Sequence, residues 1–261
     1  MKALTLLACA LAAVNVQAQE PVRLYAAGSL RAALDEVARA FHEAKVEAVY
    51  GASGLLRERI VKGEPAEVFA SANMEHPQAL EQAGRGGPVK LFARNRLCAL
   101  TSPSLSVDGE NLLDRMLDPS VKLGTSTPKA DPSGDYAWAL FEKAENVRPG
   151  AFQKLSDKAL KLVGGPDSPQ APPNRSVYGM LLSEGKADLF LTYCTAARQA
   201  QAENPALRIV EVPAALAVGA DYGLTVLKGA RPQAERFAQF VLSRPGQDIL
   251  AKHGFAPGDP R

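Results

Sequence analysis

Three serines, Ser29, Ser53 and Ser133, stand at equivalent points of the sequence. Each follows a short apolar run and a turn of small residues, and each precedes apolar residues at helical spacing: Tyr25-Ala26-Ala27-Gly28-Ser29, Gly51-Ala52-Ser53-Gly54 and Asp131-Pro132-Ser133-Gly134. A helix start carries backbone N–H groups without intrahelical partners at the positive end of the helix dipole, so each junction can hold an anion. Taken singly, each serine fits a plain N-cap equally well. Tyr193 ends the apolar run 188–194 and adds a phenolic O–H, which could instead satisfy a local carbonyl. Together these neutral donors suit a compact anion with several acceptor oxygens, bound without Lys or Arg.

The elements that must position these groups read as alternating strands and helices. Strand-like runs at 22–26, 46–50, 67–70 and 121–125 are followed by helical periodicity, and Leu30, Leu34, Val37, Ala38 and Phe41 share one helix face. That alternation predicts an α/β fold with a largely parallel sheet flanked by helices, and such sheets bind ligands at the carboxyl ends of their strands. Runs at 89–93 and 96–100 read as two further strands, and 188–194, apolar on both faces, as a central one. Strands at 207–212 and 222–227 precede helices at 232–242 and 245–253.

A catalytic site is hard to assemble from the same residues. His42, His76 and His253 fall in a helix, a helix start and a terminal turn, where solvated positions are expected, and none neighbours a nucleophile. Gly51-Ala52-Ser53-Gly54 is not a nucleophile elbow, because glycine follows the serine directly. Phosphate loops, dinucleotide fingerprints and metal-spaced clusters are missing, so no cofactor and no enzyme activity are expected; a secreted serine hydrolase is the remote alternative.

Formal charge is +2, from 30 basic and 28 acidic residues without a basic block, which gives no footprint for nucleic acid. Residues 1–18 read as a signal peptide, with Lys2 ahead of the apolar stretch 3–16 and cleavage after Ala18. A lipid anchor through Cys9 fits poorly, since Lys2 lies too close to it. Export should therefore deliver a soluble periplasmic protein. Cys98 and Cys194 each sit inside an apolar run, and both a disulfide and two buried free thiols remain open. Zinc is not expected there, as no histidine is adjacent.

The motifs above, with Pro65-Ala66-Glu67-Val68-Phe69-Ala70-Ser71-Ala72, Arg94-Asn95-Arg96-Leu97 and Gly246-Gln247-x-Ile249-Leu250-Ala251-x-x-Gly254-Phe255, occur in an order that resembles the periplasmic molybdate-binding proteins of ABC importers. The resemblance covers nearly the whole chain after residue 18. It implies a two-lobed type II periplasmic binding protein with the ligand in the cleft, lobe I comprising 19–96 plus 206–261 and lobe II 97–205. It also implies a monomer that captures molybdate, and tungstate with it, and hands it to a membrane permease; another oxyanion or a small carboxylate is the alternative ligand. Matching positions give Ser29 and Ser53 as hydroxyl and N–H donors, Ser133 and Val177 as backbone N–H donors, and Tyr193 as a hydroxyl donor. Ser133 stands where the family pattern has a small apolar residue, so an additional hydroxyl is expected at the ligand. The loop 164–173 aligns poorly, which leaves Ser176 and Tyr178 as neighbours that could replace Val177.

Overall fold

The computed structural model describes residues 20–172 and 175–258. The expected signal peptide, its cleavage site and Cys9 lie outside the described residues.

Strand β1 (Val22–Ala27) runs through a 3₁₀ turn, Gly28–Leu30, into helix α1 (Arg31–Ala40). Then come β2 (Val46–Gly51), α2 (Ser53–Val61), β3 (Val68–Ser71) and α3 (Glu75–Gln82). The chain continues through β4 (Lys90–Thr101), α4 (Leu112–Leu117), β5 (Leu123–Ser126), α5 (Pro132–Val147), α6 (Ala151–Lys158) and β6 (Leu160–Val163). It closes with α7 (Val177–Ser183), β7 (Leu189–Tyr193), α8 (Cys194–Glu203), β8 (Arg208–Glu211), β9 (Gly219–Val226), α9 (Pro232–Leu242), α10 (Arg244–Lys252) and β10 (Ala256–Pro257).

The strands lie in the order β2-β1-β3-β9-β4-β7-β5-β6, with β10 and β8 pairing β4 from outside that path. The outer strands are parallel: β1 pairs β2 and β3, and β5 pairs β6 and β7. The middle is antiparallel, through β3–β9, β4–β9 and β4–β7. The sheet is therefore mixed, with parallel units at both flanks.

Residues 89–100 do not form the two strands their pattern suggests. Arg94 and Asn95 interrupt the apolar pattern, yet neither breaks a strand, and both stay paired, opposite Asp221 and Ala220. One continuous β4 results, with its irregularity between Leu91 and Ala93. Its first half pairs β9 and its second half pairs β7 and β8, so a single strand carries both parts of the sheet.

Helical periodicity explains how α1 seats. Leu30, Leu34, Val37 and Phe41 are all buried, and the Phe41 ring meets Phe237 of α9 edge-on at 5.4 Å. β7 is buried along its whole length between β4 and β5, which its two-faced apolar pattern requires. Cys98 of β4 and Cys194, the first residue of α8, form a disulfide. Among the described residues no helix is long and apolar enough to cross a membrane.

Candidate functional site

The carboxyl ends of β1, β2, β3 and β7 open onto a cavity of about 590 Å³. Ser29, Ser53, Val177 and Tyr193 line it together with Gly28, Gly51 and Ala72. Parallel β1, β2 and β3 deliver their following turns to one edge, and β7, which belongs to the oppositely directed parallel set β5, β6 and β7, brings Tyr193 to the cavity from the other side.

Ser29 does not cap α1. It lies inside the 3₁₀ turn, α1 has no side-chain cap, and the Ser29 hydroxyl shares a 3.0 Å hydrogen bond with the Tyr222 hydroxyl. Behind that pair, the Asn95 amide donates to Thr195 Oγ1 at 2.8 Å and to Tyr222 at 3.4 Å. Tyr222 and Asn95 are positioning residues that the sequence reading passes over. Tyr222 sits on β9 near the opposite end of the chain from Ser29, and only the placement of β9 between β3 and β4 brings the two together. Ser53 opens α2 and accepts the Ala72 N–H at 3.1 Å, which fixes its hydroxyl oxygen and leaves its proton free to point elsewhere.

Tyr193 has a different environment. Its hydroxyl is buried without a hydrogen-bond partner among the described residues, although its ring packs against Tyr136 at 6.2 Å and Tyr222 at 5.6 Å. Burial pushes the Tyr193 and Tyr222 phenols well above their ordinary values, so both keep their protons. A protonated hydroxyl buried against a cavity and left unsatisfied is costly unless a ligand takes it.

At α7, Ser176 spends both of its polar groups on the protein: its hydroxyl accepts from Gly179 N–H at 3.3 Å and its own N–H donates to Glu203 at 2.8 Å. Val177 is then the first helical N–H at the cavity. Tyr178 also lines the cavity, with its ring edge-on to Phe190 at 4.9 Å and burial pushing its phenol up to about 12.

Ser133 differs from its expected role. Its N–H donates to Asp131 Oδ1 at 3.0 Å, and its hydroxyl is buried without a partner among the described residues and does not line the cavity. Asp131 is the reason: it is the N-cap of α5, it lines the cavity itself, and it holds the N–H that an anion would use. Gly164, at φ 78°, makes room for it, since a Cβ there would sit 2.4 Å from Asp131 Cβ.

Burial pushes the Asp131 carboxyl up to about 6, Asp135 adds to the rise, and the Ser133 N–H opposes it. An anion in the same cavity favours the neutral acid further. Below about pH 6 the empty site already holds the proton; above it, binding must take one up. Sulfate, a dianion of fixed charge, should therefore bind with constant affinity below pH 6 and lose up to about tenfold per pH unit above it. Asp131→Asn should flatten the profile, and a wild-type profile that is flat from pH 5 to 8 would remove Asp131 from the site.

The histidines do not behave alike. His253 pairs with Glu36 at 2.9 Å, but His76 is buried rather than solvated, with neither ring nitrogen partnered among the described residues and its basicity pushed down to about 4 by burial. None of them lines the cavity.

The sequence profile of bacterial extracellular solute-binding proteins matches residues 22–256. An uncharacterized protein of Pasteurella multocida, PM1146, is 36% identical over 243 residues, covering 91% of this chain and 99% of that one. Among solved structures, the sulfate-binding protein SubI of Mycobacterium tuberculosis superposes with a TM-score of 0.74 at 18% identity, covering 93% of this chain and 88% of that one. The periplasmic molybdate-binding protein of Azotobacter vinelandii gives a TM-score of 0.73 at 20% identity, covering 92% and 100%. The architecture is thus the α/β fold of type II periplasmic binding proteins. With the profile spanning almost every described residue, the chain belongs to the bacterial extracellular solute-binding protein family.

Proposed function

We propose that the protein captures a tetrahedral oxyanion outside the cytoplasm and delivers it to the permease of an ABC importer, acting as a monomer, with molybdate the first ligand and tungstate nearly indistinguishable from it. The observation that carries the reading is the Tyr193 hydroxyl, buried and without a well-formed hydrogen bond among the described residues, beside Ser29 and Ser53 in one cavity. The proposed donors are the hydroxyls of Ser29, Ser53 and Tyr193 and the N–H groups of Ser29, Ser53 and Val177. Ser133 joins them through the N–H that Asp131 now holds, which a protonated Asp131 accepts from only weakly.

Lobe I is proposed as 19–96 plus 206–261 and lobe II as 97–205. The β4 pairing changes partner at that first boundary, from β9 at Arg96 to β7 at Leu97. β8 pairs Cys98–Thr101 of the second half, which favours a return crossing after Glu211 over the 205/206 boundary.

Calorimetry of the mature chain tests the function: molybdate and tungstate should bind tightly and sulfate much more weakly, and no heat with either metal oxyanion would sink the molybdate reading. Point variants sharpen it. Tyr193→Phe removes a donor to a charged ligand but also an unsatisfied buried hydroxyl. It should weaken anion binding by about 1–3 kcal/mol while leaving the empty protein as stable as before, or more so. Ser29→Ala should cost a similar affinity and, by leaving Tyr222 one partner short, some stability as well. Thermal melts with and without ligand separate the two effects.

A further inference from the structure

The hydrogen bond between Ser29 and Tyr222 has a direction, and Asn95 sets it. Taken alone, the 3.0 Å contact lets either hydroxyl donate. The Asn95 side chain accepts the Arg96 N–H on Oδ1 at 2.9 Å, and its NH2 group donates to Thr195 Oγ1 at 2.8 Å and to the Tyr222 hydroxyl at 3.4 Å. Turning the amide over would set its NH2 against the Arg96 N–H, so the backbone of β4 keeps the donors aimed at Thr195 and Tyr222.

An amide NH2 accepts nothing, and a Tyr222 proton aimed at it would put donor against donor. The phenol therefore accepts from Asn95 and sends its own proton elsewhere. The 3.4 Å contact is weak as a bond, but it decides only the sign of the facing dipole. Tyr193, the other hydroxyl near Tyr222, makes no well-formed hydrogen bond among the described residues, which leaves Ser29 Oγ as the acceptor. Ser29 then has one proton left and no second hydrogen bond among the described residues, in the wall of the cavity. That proton needs an acceptor, and only a ligand oxygen offers one. Ser53 reaches the same polarity by a shorter route, since the Ala72 N–H occupies its oxygen.

We propose that Asn95 is a specificity-determining positioning residue: by running the chain from Asn95 through Tyr222 to Ser29 in one direction, it presents Ser29 as a donor, so that a ligand oxygen carrying its own proton is disfavoured there. The inference rests on the oxyanion reading, with Ser29 among the donors. It goes beyond that reading by giving the choice between a bare and a proton-bearing oxyanion to a residue that does not line the cavity.

Sulfate and hydrogenphosphate are both tetrahedral dianions at pH 8, and only hydrogenphosphate carries a proton. The ratio of their affinities, measured by calorimetry on the mature chain and compared between variants, cancels charge and size, and Asp131 faces both anions in every variant. Asn95→Asp keeps the shape but can only accept. Tyr222 should turn its proton to the new carboxylate and Ser29 its own to Tyr222, and the sulfate-to-hydrogenphosphate ratio should fall at least about tenfold below wild type, the worth of one hydrogen bond to a charged group. Tyr222→Phe adds no charge and lets the Ser29 hydroxyl turn either way, so it should lower the ratio by at least about threefold; it decides alone if Asn95→Asp does not fold. Lost packing would weaken both anions together and leave the ratio where it was. Either folded variant keeping the ratio within about twofold of wild type overturns the assignment. If the wild type binds sulfate or molybdate and the ratios stay put, the polarity assignment fails and the oxyanion reading stands. If sulfate, molybdate and hydrogenphosphate all fail to bind the wild type, both fail.

Discussion

Replacing Cys98 and Cys194 by serine should lower the thermal midpoint of the protein by about 10–15 °C. The bridge joins residues 96 apart in the chain, and cross-linking a loop of that length removes roughly 4–5 kcal/mol of chain entropy from the unfolded state. For a domain of this size each kcal/mol moves the midpoint by about 2–4 °C. Both half-cystines are buried, so the two serines also carry unmet hydroxyls into the core, which adds to the loss rather than offsetting it. The effect extends to the site, because Cys194 directly follows Tyr193 at the junction of β7 and α8. The double variant should therefore bind its anion more weakly as well as melt earlier. A shift under about 2 °C would mean that the bridge does not constrain the chain. A thiol count under denaturing, non-reducing conditions should find neither cysteine reactive.

A single methyl group at Gly54 should nearly abolish ligand capture. Gly54 lies in the first turn of α2, its N–H donates to the Ala130 carbonyl at 2.9 Å, and a Cβ there would meet Lys129 O at 2.4 Å and Ala130 O at 2.7 Å. Both obstacles are backbone, so no side chain can swing aside. The loop after β5 must move away from α2, and it takes Asp131 and the start of α5 with it. Gly54→Ala gains up to about 1 kcal/mol of helix propensity, which does not offset two backbone clashes present without ligand, so the empty protein should also melt earlier than the wild type. Anion affinity should fall by about 30- to 100-fold, the equivalent of losing one hydrogen bond and 1–2 kcal/mol of closing contact. Wild-type affinity in Gly54→Ala would show that the contact between α2 and the loop after β5 is absent from the bound form.

Much of this arrangement is legible in the sequence, and the reasons are local. The helical spacing of Leu30, Leu34, Val37 and Phe41 identifies α1 and its buried face. The two-sided apolar run at 189–193 identifies β7 as central. The small turns after β1 and β2 bring Ser29 and Ser53 to the cavity, and Gly54 is a glycine because backbone approaches backbone there. What sequence pattern could not reveal depends on pairing across long separations. Tyr222 and Asn95 support Ser29 only because β9 inserts between β3 and β4. The polar residues Arg94 and Asn95 interrupt the apolar pattern, although a half-buried strand tolerates them because Arg94 pairs with Asp221 and Asn95 bonds Thr195 and Tyr222. Asp131 shows only as part of the junction before α5, yet its side chain caps that helix and takes the N–H expected of Ser133. Short polar residues ahead of a proline at a helix start carry that signal, since an N-cap followed by proline at the first helical position is a favoured helix opening.

The placement of β9 also sets an order of events as the chain emerges from its amino end. The second half of β4 finds β5, β6, β7 and β8 within residues 90–211, an uninterrupted stretch that can complete its own pairing. The other half cannot, because β3 and β4 are bridged only by a strand at Gly219–Val226. A nascent chain can thus complete the pairing around Tyr193 before Ser29 has Tyr222 behind it, and the Ser29 side of the cavity waits for β9.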